Sequence, residues 1–176
     1  NTGNATDFGD LSNSTSYLAA NQASGDLTRA VVLGGIASQT STTMEYFTYA
    51  SAGNATDFGD LLYHAGRSMT CSDATRIVHM GGSPNTSSGG GHNPKYHNIQ
   101  YITTQTTGNA TDFGDLLEEY SEGSACANAT KGIAIASHNV TTMMNAITIQ
   151  TTGNATDFGD LITGMYRSAA ASGSPS

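Results

Sequence analysis

The chain has 176 residues, a formal net charge of −8 and only 11% charged residues. This length allows one domain or part of a larger one. With 6 Lys and Arg residues in total, a basic nucleic-acid surface is excluded. No apolar run approaches the roughly 18 residues that a membrane-spanning helix needs, so we expect no membrane insertion either.

A ten-residue motif, TGNATDFGDL, recurs along the chain. It occupies residues 2–11, 52–61 (with Ala52 in the first position), 107–116 and 152–161. Repeats spaced by 45 to 55 residues are typical of stacked β units such as propeller blades, and shorter periods are typical of helical repeats. The motif therefore predicts a chain built from repeated β units.

Each unit predicts four short strands in the same order. The first is rich in small residues, the second is apolar, and the third carries β-branched and aromatic residues. The fourth is the motif itself, in which Gly, Asn and Asp suit a bending backbone. The first strands are predicted at 17–20, 67–71, 122–126 and 167–171, the second at 30–33, 77–80 and 133–136, and the third at 44–49, 99–104 and 144–149. A small insertion is expected at 22–25, and no window has helical periodicity, so the prediction is all-β.

The unit boundaries follow from the motif positions. We expect full units at about 12–61, 62–116 and 117–161, with terminal strands at 2–11 and 166–171 as the remains of a split unit. These strands would leave unpaired edges, which proteins usually avoid, so we expect either a longer parent chain or several assembled copies. A β-trefoil or β-prism is the alternative fold, because it also uses three four-stranded units.

The motif also supplies large apolar residues at fixed positions. We expect the phenylalanine and the leucine of each motif copy to fill the space between neighbouring sheets. These residues are Phe8, Phe58, Phe113, Phe158, Leu11, Leu61, Leu116 and Leu161.

An apolar strand ending in a glycine doublet, then an aromatic strand, then an aromatic residue three positions before a leucine is the layout of kelch repeats. The doublets are Gly34-Gly35 and Gly81-Gly82, and Phe-Gly-Asp-Leu stands where kelch repeats have Trp-x-x-Leu. The motif resembles a kelch-like repeat found in long proteins of marine phages and other aquatic viruses. The third unit departs from the pattern at Ala136-Ser137 and Ala146. The resemblance implies a β-propeller, a virion-associated or otherwise extracellular binding role, and no enzymatic activity.

Carboxylate pairs within the motif are candidate calcium ligands, since Ca²⁺ prefers clustered oxygen atoms. They are Asp7, Asp10, Asp57, Asp60, Asp112, Asp115, Asp157 and Asp160. Asx side chains also cap turns by accepting bonds from local backbone N–H groups. Because four copies favour an architectural use, we predict turn capping, with calcium as the alternative and no other cofactor.

The cysteines and histidines give weaker signals. Cys71 and Cys126 lie at the same distance from their leading glycines, so they should sit on equivalent strands as free thiols rather than as a disulfide. His92 and His97 could hold a metal, but they lack a zinc motif's spacing. We expect His79 to be an ordinary residue of an apolar strand.

The longest loop is the candidate binding loop, because repeat scaffolds often place recognition in such loops. It contains Asn85, His92, Asn93, Lys95 and Tyr96, a mixture suited to glycan or protein contacts. Asn-x-Ser/Thr sequons would be glycosylated in a eukaryotic secretory protein and carry no meaning in a phage protein. They begin at Asn4, Asn13, Asn54, Asn85, Asn109, Asn128, Asn139 and Asn154.

The sequence thus predicts a non-enzymatic module of a virion or extracellular appendage that displays loops for host glycan or protein attachment. Its expected partners are other copies of itself, other virion or appendage proteins, and a host surface glycan or protein. The alternative is a self-assembling filament or virion-coat protein without a receptor-binding role.

Overall fold

The chain folds into three antiparallel sheets of four strands each. The computed structural model describes residues 3–12, 22–36, 40–63, 66–84, 95–135, 141–165 and 168–172. Sheet 1 contains β1 (Gln22–Gly25), β2 (Arg29–Ile36), β3 (Thr40–Thr48) and β4 (Thr56–Asp60). Sheet 2 contains β5 (Met69–Ser72), β6 (Arg76–Met80), β7 (Tyr96–Thr103) and β8 (Thr111–Tyr120). Sheet 3 contains β9 (Ser124–Ala127), β10 (Lys131–Ile135), β11 (Met143–Thr148) and β12 (Thr156–Asp160).

Consecutive strands pair in every sheet, which confirms the prediction of an all-β chain with three four-stranded units. Within the described ranges there is no helix, and so none that could cross a membrane. The first strands of the sheets are the least well predicted. In sheet 1 the first strand is β1, at the position where the sequence predicted an insertion, and the predicted strand at 17–20 lies outside the described residues. The small residues of β1 give little strand signal by themselves, and β1 is fixed by its pairing with β2.

The predicted terminal strands need correction. Residues 3–11 form no strand, although the same motif forms β4, β8 and β12. Each of those strands pairs with the third strand of its own sheet, whereas no described strand pairs with residues 3–11. Residues 168–172 also form no strand.

Two apolar layers hold the sheets face to face. The layer between sheets 1 and 2 contains Val31, Leu33, Met44, Phe58, Leu61, Ile77, Ile102 and Ala110. The layer between sheets 2 and 3 contains Met69, Cys71, Val78, Met80, Ile99, Phe113, Leu116, Tyr120, Ala134, Ile147, Ile149 and Ala155. In both layers, one face of a sheet packs against the opposite face of the next sheet. The three sheets are therefore stacked in the same orientation.

The predicted packing role of the motif phenylalanines is confirmed for the two inner copies and wrong for the outer two. Phe58 and Phe113 are 2% and 3% exposed, whereas Phe8 and Phe158 are 41% and 51% exposed. The difference follows from position, because each inner copy lies between two sheets and each outer copy has a sheet on one side only.

The first strands of the sheets lie side by side along one side of the stack. The Ser24 hydroxyl donates to the Ser72 hydroxyl at 3.0 Å, which joins β1 to β5, and β5 in turn contacts β9. The fourth strands β8 and β12 also contact each other. The motif copies are therefore brought together at the opposite side of the sheets.

The glycine doublet of sheet 2 has a specific use. β8 continues past the predicted unit boundary at 116 to Tyr120, whose carbonyl accepts the Gly82 N–H at 2.7 Å. A side chain on Gly81 would lie 2.5 Å from the same carbonyl oxygen, so the doublet permits this close approach. The Tyr120 ring is buried, and its hydroxyl accepts a hydrogen bond from Asn145 at 2.7 Å. The extension of β8 thereby ties sheet 2 to sheet 3.

Candidate functional site

The four motif copies stack on one another as a continuous ladder. In each successive pair, the leading glycine N–H of the later copy donates to the phenylalanine carbonyl of the earlier copy, at 2.7 Å. The alanine N–H of the later copy donates to the carbonyl of the earlier copy's second aspartate. The bonds are Gly53 to Phe8 and Ala55 to Asp10, Gly108 to Phe58 and Ala110 to Asp60, and Gly153 to Phe113 and Ala155 to Asp115. The repeated motif is therefore an interface element.

The motif asparagine completes each step of the ladder. Its side-chain oxygen accepts the backbone N–H of the second aspartate of the preceding copy, at 3.1 Å in all three pairs. The bonds run from Asp10 to Asn54, from Asp60 to Asn109 and from Asp115 to Asn154. Local capping of the predicted kind is seen at Asp7 and Asp157, whose carboxylates accept the N–H two residues later. The asparagines thus join copies that are far apart in sequence.

A buried polar residue on each third strand adds a further bond between units. Glu45, Gln100 and Asn145 are 5%, 2% and 1% exposed and lie eight residues before the next leading glycine. Each accepts the backbone N–H of the residue that follows the preceding motif copy. The donors are Ser12 at 3.1 Å, Leu62 at 2.7 Å and Leu117 at 2.9 Å. Sequence reasoning missed these residues, although their shared position and acceptor chemistry were visible.

The turns between the first and second strands are capped by Asp26, Asp73 and Asn128, whose side chains accept the N–H groups two and three residues later. A glutamine from the following sheet binds two of these turns: Gln105 donates to Asp26, and Gln150 donates to Asp73 at 2.7 Å. Burial alone would raise the pKa of Asp26, but hydrogen bonds from Gln105 and from local N–H groups lower it to about 2.

Two arginines also bridge neighbouring units. The Arg29 guanidinium lies 4.0 Å from the Tyr46 ring centroid and donates to the Thr104 carbonyl of sheet 2. The Arg76 guanidinium lies 3.9 Å from the Tyr101 ring centroid and donates at 2.8 Å to Ile149. In sheet 3 the equivalent positions are Lys131 and Ala146, so the departure noted in the sequence removes the cation–aromatic pair.

The motif carboxylates lie on the outside of the ladder. Seven of the eight candidate calcium ligands are exposed, and Asp115 is half-buried. Asp60 and Asp160 accept hydrogen bonds from Thr42 and Thr142, and Asp115 lies 3.5 Å from the His97 ring. Across the ranges that the structure describes, no three His, Cys, Asp or Glu side chains converge. Calcium binding stays a prediction.

Both cysteines are free thiols, as predicted. Cys71 is buried in the layer between sheets 2 and 3, and this burial raises the pKa of its thiol to about 12. Cys126 is half-buried on the adjacent strand β9. The Cys71 sulfur is therefore a packing group, kept in its unreactive thiol form.

His79 is fully buried on β6, as its alternation predicted. Its Nδ1 lies 3.3 Å from the Gln100 amide nitrogen, and its Nε2 has no hydrogen-bond partner within the described part of the chain. Burial lowers the pKa of His79 to about 4, because the apolar layer disfavours the charged ring.

We expect acidification to destabilise the protein through His79. The unfolded chain binds a proton below its ordinary pKa of 6.5, whereas the folded chain does so only below about 4. Stability from this group is therefore complete above pH 6.5 and falls by about 3 kcal/mol as the pH drops through this window. Urea unfolding across that pH range measures the loss. His79→Val is the control, since Val32 occupies the equivalent position of sheet 1, and an undiminished pH slope in this variant would contradict the assignment.

The candidate binding loop lies largely outside the described residues, which include only Lys95 and Tyr96 of its five predicted members. Tyr96 is the first residue of β7, at the base of the loop, and its ring lies 6.0 Å from the ring of Tyr63. His64, His92 and His138 are likewise outside the described residues, as are the sequons at Asn13, Asn85 and Asn139. The other sequon asparagines, at Asn4, Asn54, Asn109, Asn128 and Asn154, are exposed.

Equivalent clefts lie beside the turn between the third and fourth strands of sheets 1 and 3, with volumes of about 220 and 240 Å³. Hydroxyl and amide groups line both. In sheet 1 they come from Thr48, Ser51, Asn54 and Thr56, and in sheet 3 from Thr148, Thr151, Thr152, Asn154 and Thr156. Tyr46 and Phe47 form the aromatic wall of the first cleft, and Lys131 adds a cation to the second. Such linings suit polyhydroxylated ligands.

The geometry thus provides a rigid stack with polar clefts and variable connections. No protein-family model matches the chain, and a search of curated proteins gives no significant match.

Proposed function

We propose that this chain is a non-enzymatic structural and binding module of a virion or extracellular appendage, which displays loops for attachment to a host glycan or protein. The observation that carries the proposal is the contrast between an invariant stack and connections of variable length. The same inter-unit hydrogen bonds recur three times, whereas the segments between the second and third strands contain three, 15 and seven residues. The segment before the first strand varies less, with ten residues in unit 1 and seven in units 2 and 3. Variation concentrated in one connection is how a scaffold presents recognition loops.

The sheets are proposed to be blades of a kelch-like β-propeller. Each sheet is a complete four-stranded meander, the sheets pack face to face, and their first strands lie side by side. Propeller blades have this arrangement around a central axis. A β-trefoil or β-prism fits less well, because the units here share the motif ladder along one side.

The variable connections leave the three sheets at matching positions. The equivalent pairs are Leu33 with Met44, Met80 with Ile99, and Ile135 with Met144. They are the last pairs before the connection in sheets 2 and 3, and in sheet 1 the pairing continues to Ile36 with Thr40. Because the sheets stack in the same orientation, these strand ends lie on one side of the stack. The connection of sheet 2 is the longest and contains Asn85, His92 and Asn93.

We expect the triple variant Asn85→Ala, His92→Ala and Asn93→Ala to bind a glycan array at least tenfold more weakly than the parent chain, since it removes several hydrogen-bonding groups. The matched control is His138→Ala with Asn139→Ala, which removes the same residue types from the shorter connection of sheet 3. Circular dichroism spectra should be the same for all three proteins. Full glycan binding by a chain that lacks 85–93 would contradict the attachment role of this loop.

A self-assembling structural protein is the second candidate. The exposed apolar residues of the outer motif copies, Phe8 and Phe158, favour it, because large apolar patches usually mark interfaces. Light scattering over a range of concentrations separates the two functions: growing particles without glycan binding support assembly alone.

A further inference from the structure

We propose that the outer face of sheet 3, together with the motif copy at 152–161, is a docking site for a further complete repeat of this type. This inference goes beyond the attachment role and rests on the inter-unit interfaces that the chain already forms. Sheets 1 and 2 each use the corresponding face to bind the next sheet. The outer face of sheet 3 is the third example of that face, and no sheet covers it within the described residues.

The apolar part of this face is exposed where its counterparts are buried. Phe158 is 51% exposed, against 3% for Phe113 at the same motif position. Leu161 is half-buried, whereas Leu116 at the same motif position is 5% exposed. Sheet 3 therefore presents a patch that matches the buried layer of the earlier interfaces.

The polar groups of the same face also lack their usual partners. In the three preceding copies, the phenylalanine carbonyl and the carbonyl and N–H of the second aspartate are all bonded to the next copy. For Phe158 and Asp160, no such inter-copy bond is present in the part of the chain that the structure describes. The three groups are the Phe158 carbonyl and the carbonyl and N–H of Asp160. Their expected partners follow from the three preceding motif copies.

That pattern specifies the occupant. It must bring a leading glycine and an alanine with free N–H groups and an asparagine side chain between them, as Gly153, Asn154 and Ala155 do for the copy before. It must also bring an apolar third strand, since Phe113 packs in one layer with Ile147 of β11. A Gln, Glu or Asn eight residues before the glycine would accept the Ile162 N–H.

A second copy of this chain fits only in part. Its residues 3–11 carry the free motif groups, but within the described residues no third strand pairs with them, so the apolar face of sheet 3 would stay uncovered. A complete repeat supplies both. Unit 62–116 carries Arg67 at the position where sheet 3 carries Glu122, and these two residues already form an ion pair with each other. Among the three units of this chain, 62–116 therefore brings the charge opposite to that of Glu122, and it is the unit used in the test.

The test inserts a duplicate of residues 62–116 between Leu161 and Ile162, which preserves the motif-to-unit junction found at Leu61 and Leu62. Phe158→Ala and Gly159→Ala are then introduced into the parent and the extended chain. In the parent, Phe158→Ala should change the unfolding equilibrium constant less than tenfold, because the ring is half exposed. In the extended chain we expect a change of more than about 100-fold, similar to Phe113→Ala.

Gly159→Ala should likewise destabilise the extended chain more than the parent. An added side chain at Gly159 meets no atom within 4 Å in the parent, but it would meet the leading glycine of a docked repeat. Equal effects of both substitutions in the two chains would overturn the proposal. A dimeric parent chain in which the Phe158→Ala effect is already large would also overturn it, in favour of a second copy as the occupant. Neither readout depends on glycan binding, so this test and that of the attachment role can fail independently.

Discussion

Replacing Gly114 by alanine is expected to destabilise the fold by roughly 3 kcal/mol or more. A side chain at this position would lie 2.5 Å from the backbone carbonyl carbon and oxygen of Gly153 in the next motif copy. Its φ of +145° is also unfavourable for any residue with a side chain. Because the atoms that face the added side chain belong to the backbone, no side-chain rotation can relieve the clash. The hydrogen-bonded motif copies themselves must move apart. Chemical unfolding of the variant and the parent measures the loss.

Gly159→Ala is the matched control, because it has the same motif position and a φ of +126° but meets no atom within 4 Å. It should therefore cost only the backbone strain, roughly 1–3 kcal/mol. The difference between the two variants isolates the contact between motif copies. If both variants lose the same stability, the close approach of Gly114 to Gly153 is not the reason that glycine is needed at position 114.

Truncating Glu122 to alanine is the second large effect, at about 3 kcal/mol. The Arg67 Nε lies 3.2 Å from the Glu122 carboxylate, and the two side chains are only 12% and 8% exposed. Removal of the carboxylate takes the opposite charge away from a guanidinium that is largely buried. Both residues have positive φ, at 57° and 60°, so alanine meets a backbone cost similar to that of glutamate. Thermal and urea unfolding at neutral pH measure the loss.

The double variant Arg67→Leu with Glu122→Leu serves as the control. It removes both charges at once, and we expect it to be far less destabilised than Glu122→Ala, since well-packed apolar residues can replace a buried ion pair. A double variant as unstable as Glu122→Ala would show that lost packing, and not the loss of the opposite charge beside Arg67, is responsible.

Several features of the fold were predicted correctly from the sequence. The β6 and β7 strands, the burial of Phe58 and Phe113 and the placement of His79 in an apolar strand all followed from local alternation and residue type. Such features depend on neighbours within a few residues, which is the range over which periodicity carries information. The free state of Cys71 and Cys126 followed from their equal positions in adjacent units.

Other features depended on partners far away in the chain. Strand β1 has weak strand-forming residues and exists because β2 pairs with it. Turn capping was predicted for the Asx side chains of the motif, yet Asn109 accepts the Asp60 N–H, 49 residues earlier. Nothing near Asn109 in the sequence distinguishes these two uses, because the same side-chain oxygen serves both.

The sequence by itself determined the repeat, the all-β class, three four-stranded units and most of the strands, since a ten-residue motif and alternating apolar residues encode them locally. Only the tertiary structure decided that the motif copies bond to one another, that Arg67 pairs with Glu122, and that Phe158 is exposed while Phe113 is buried. The two phenylalanines stand in the same ten-residue motif and therefore have the same local preferences. Their burial differs because a sheet covers one and not the other, and burial depends on what lies across the interface.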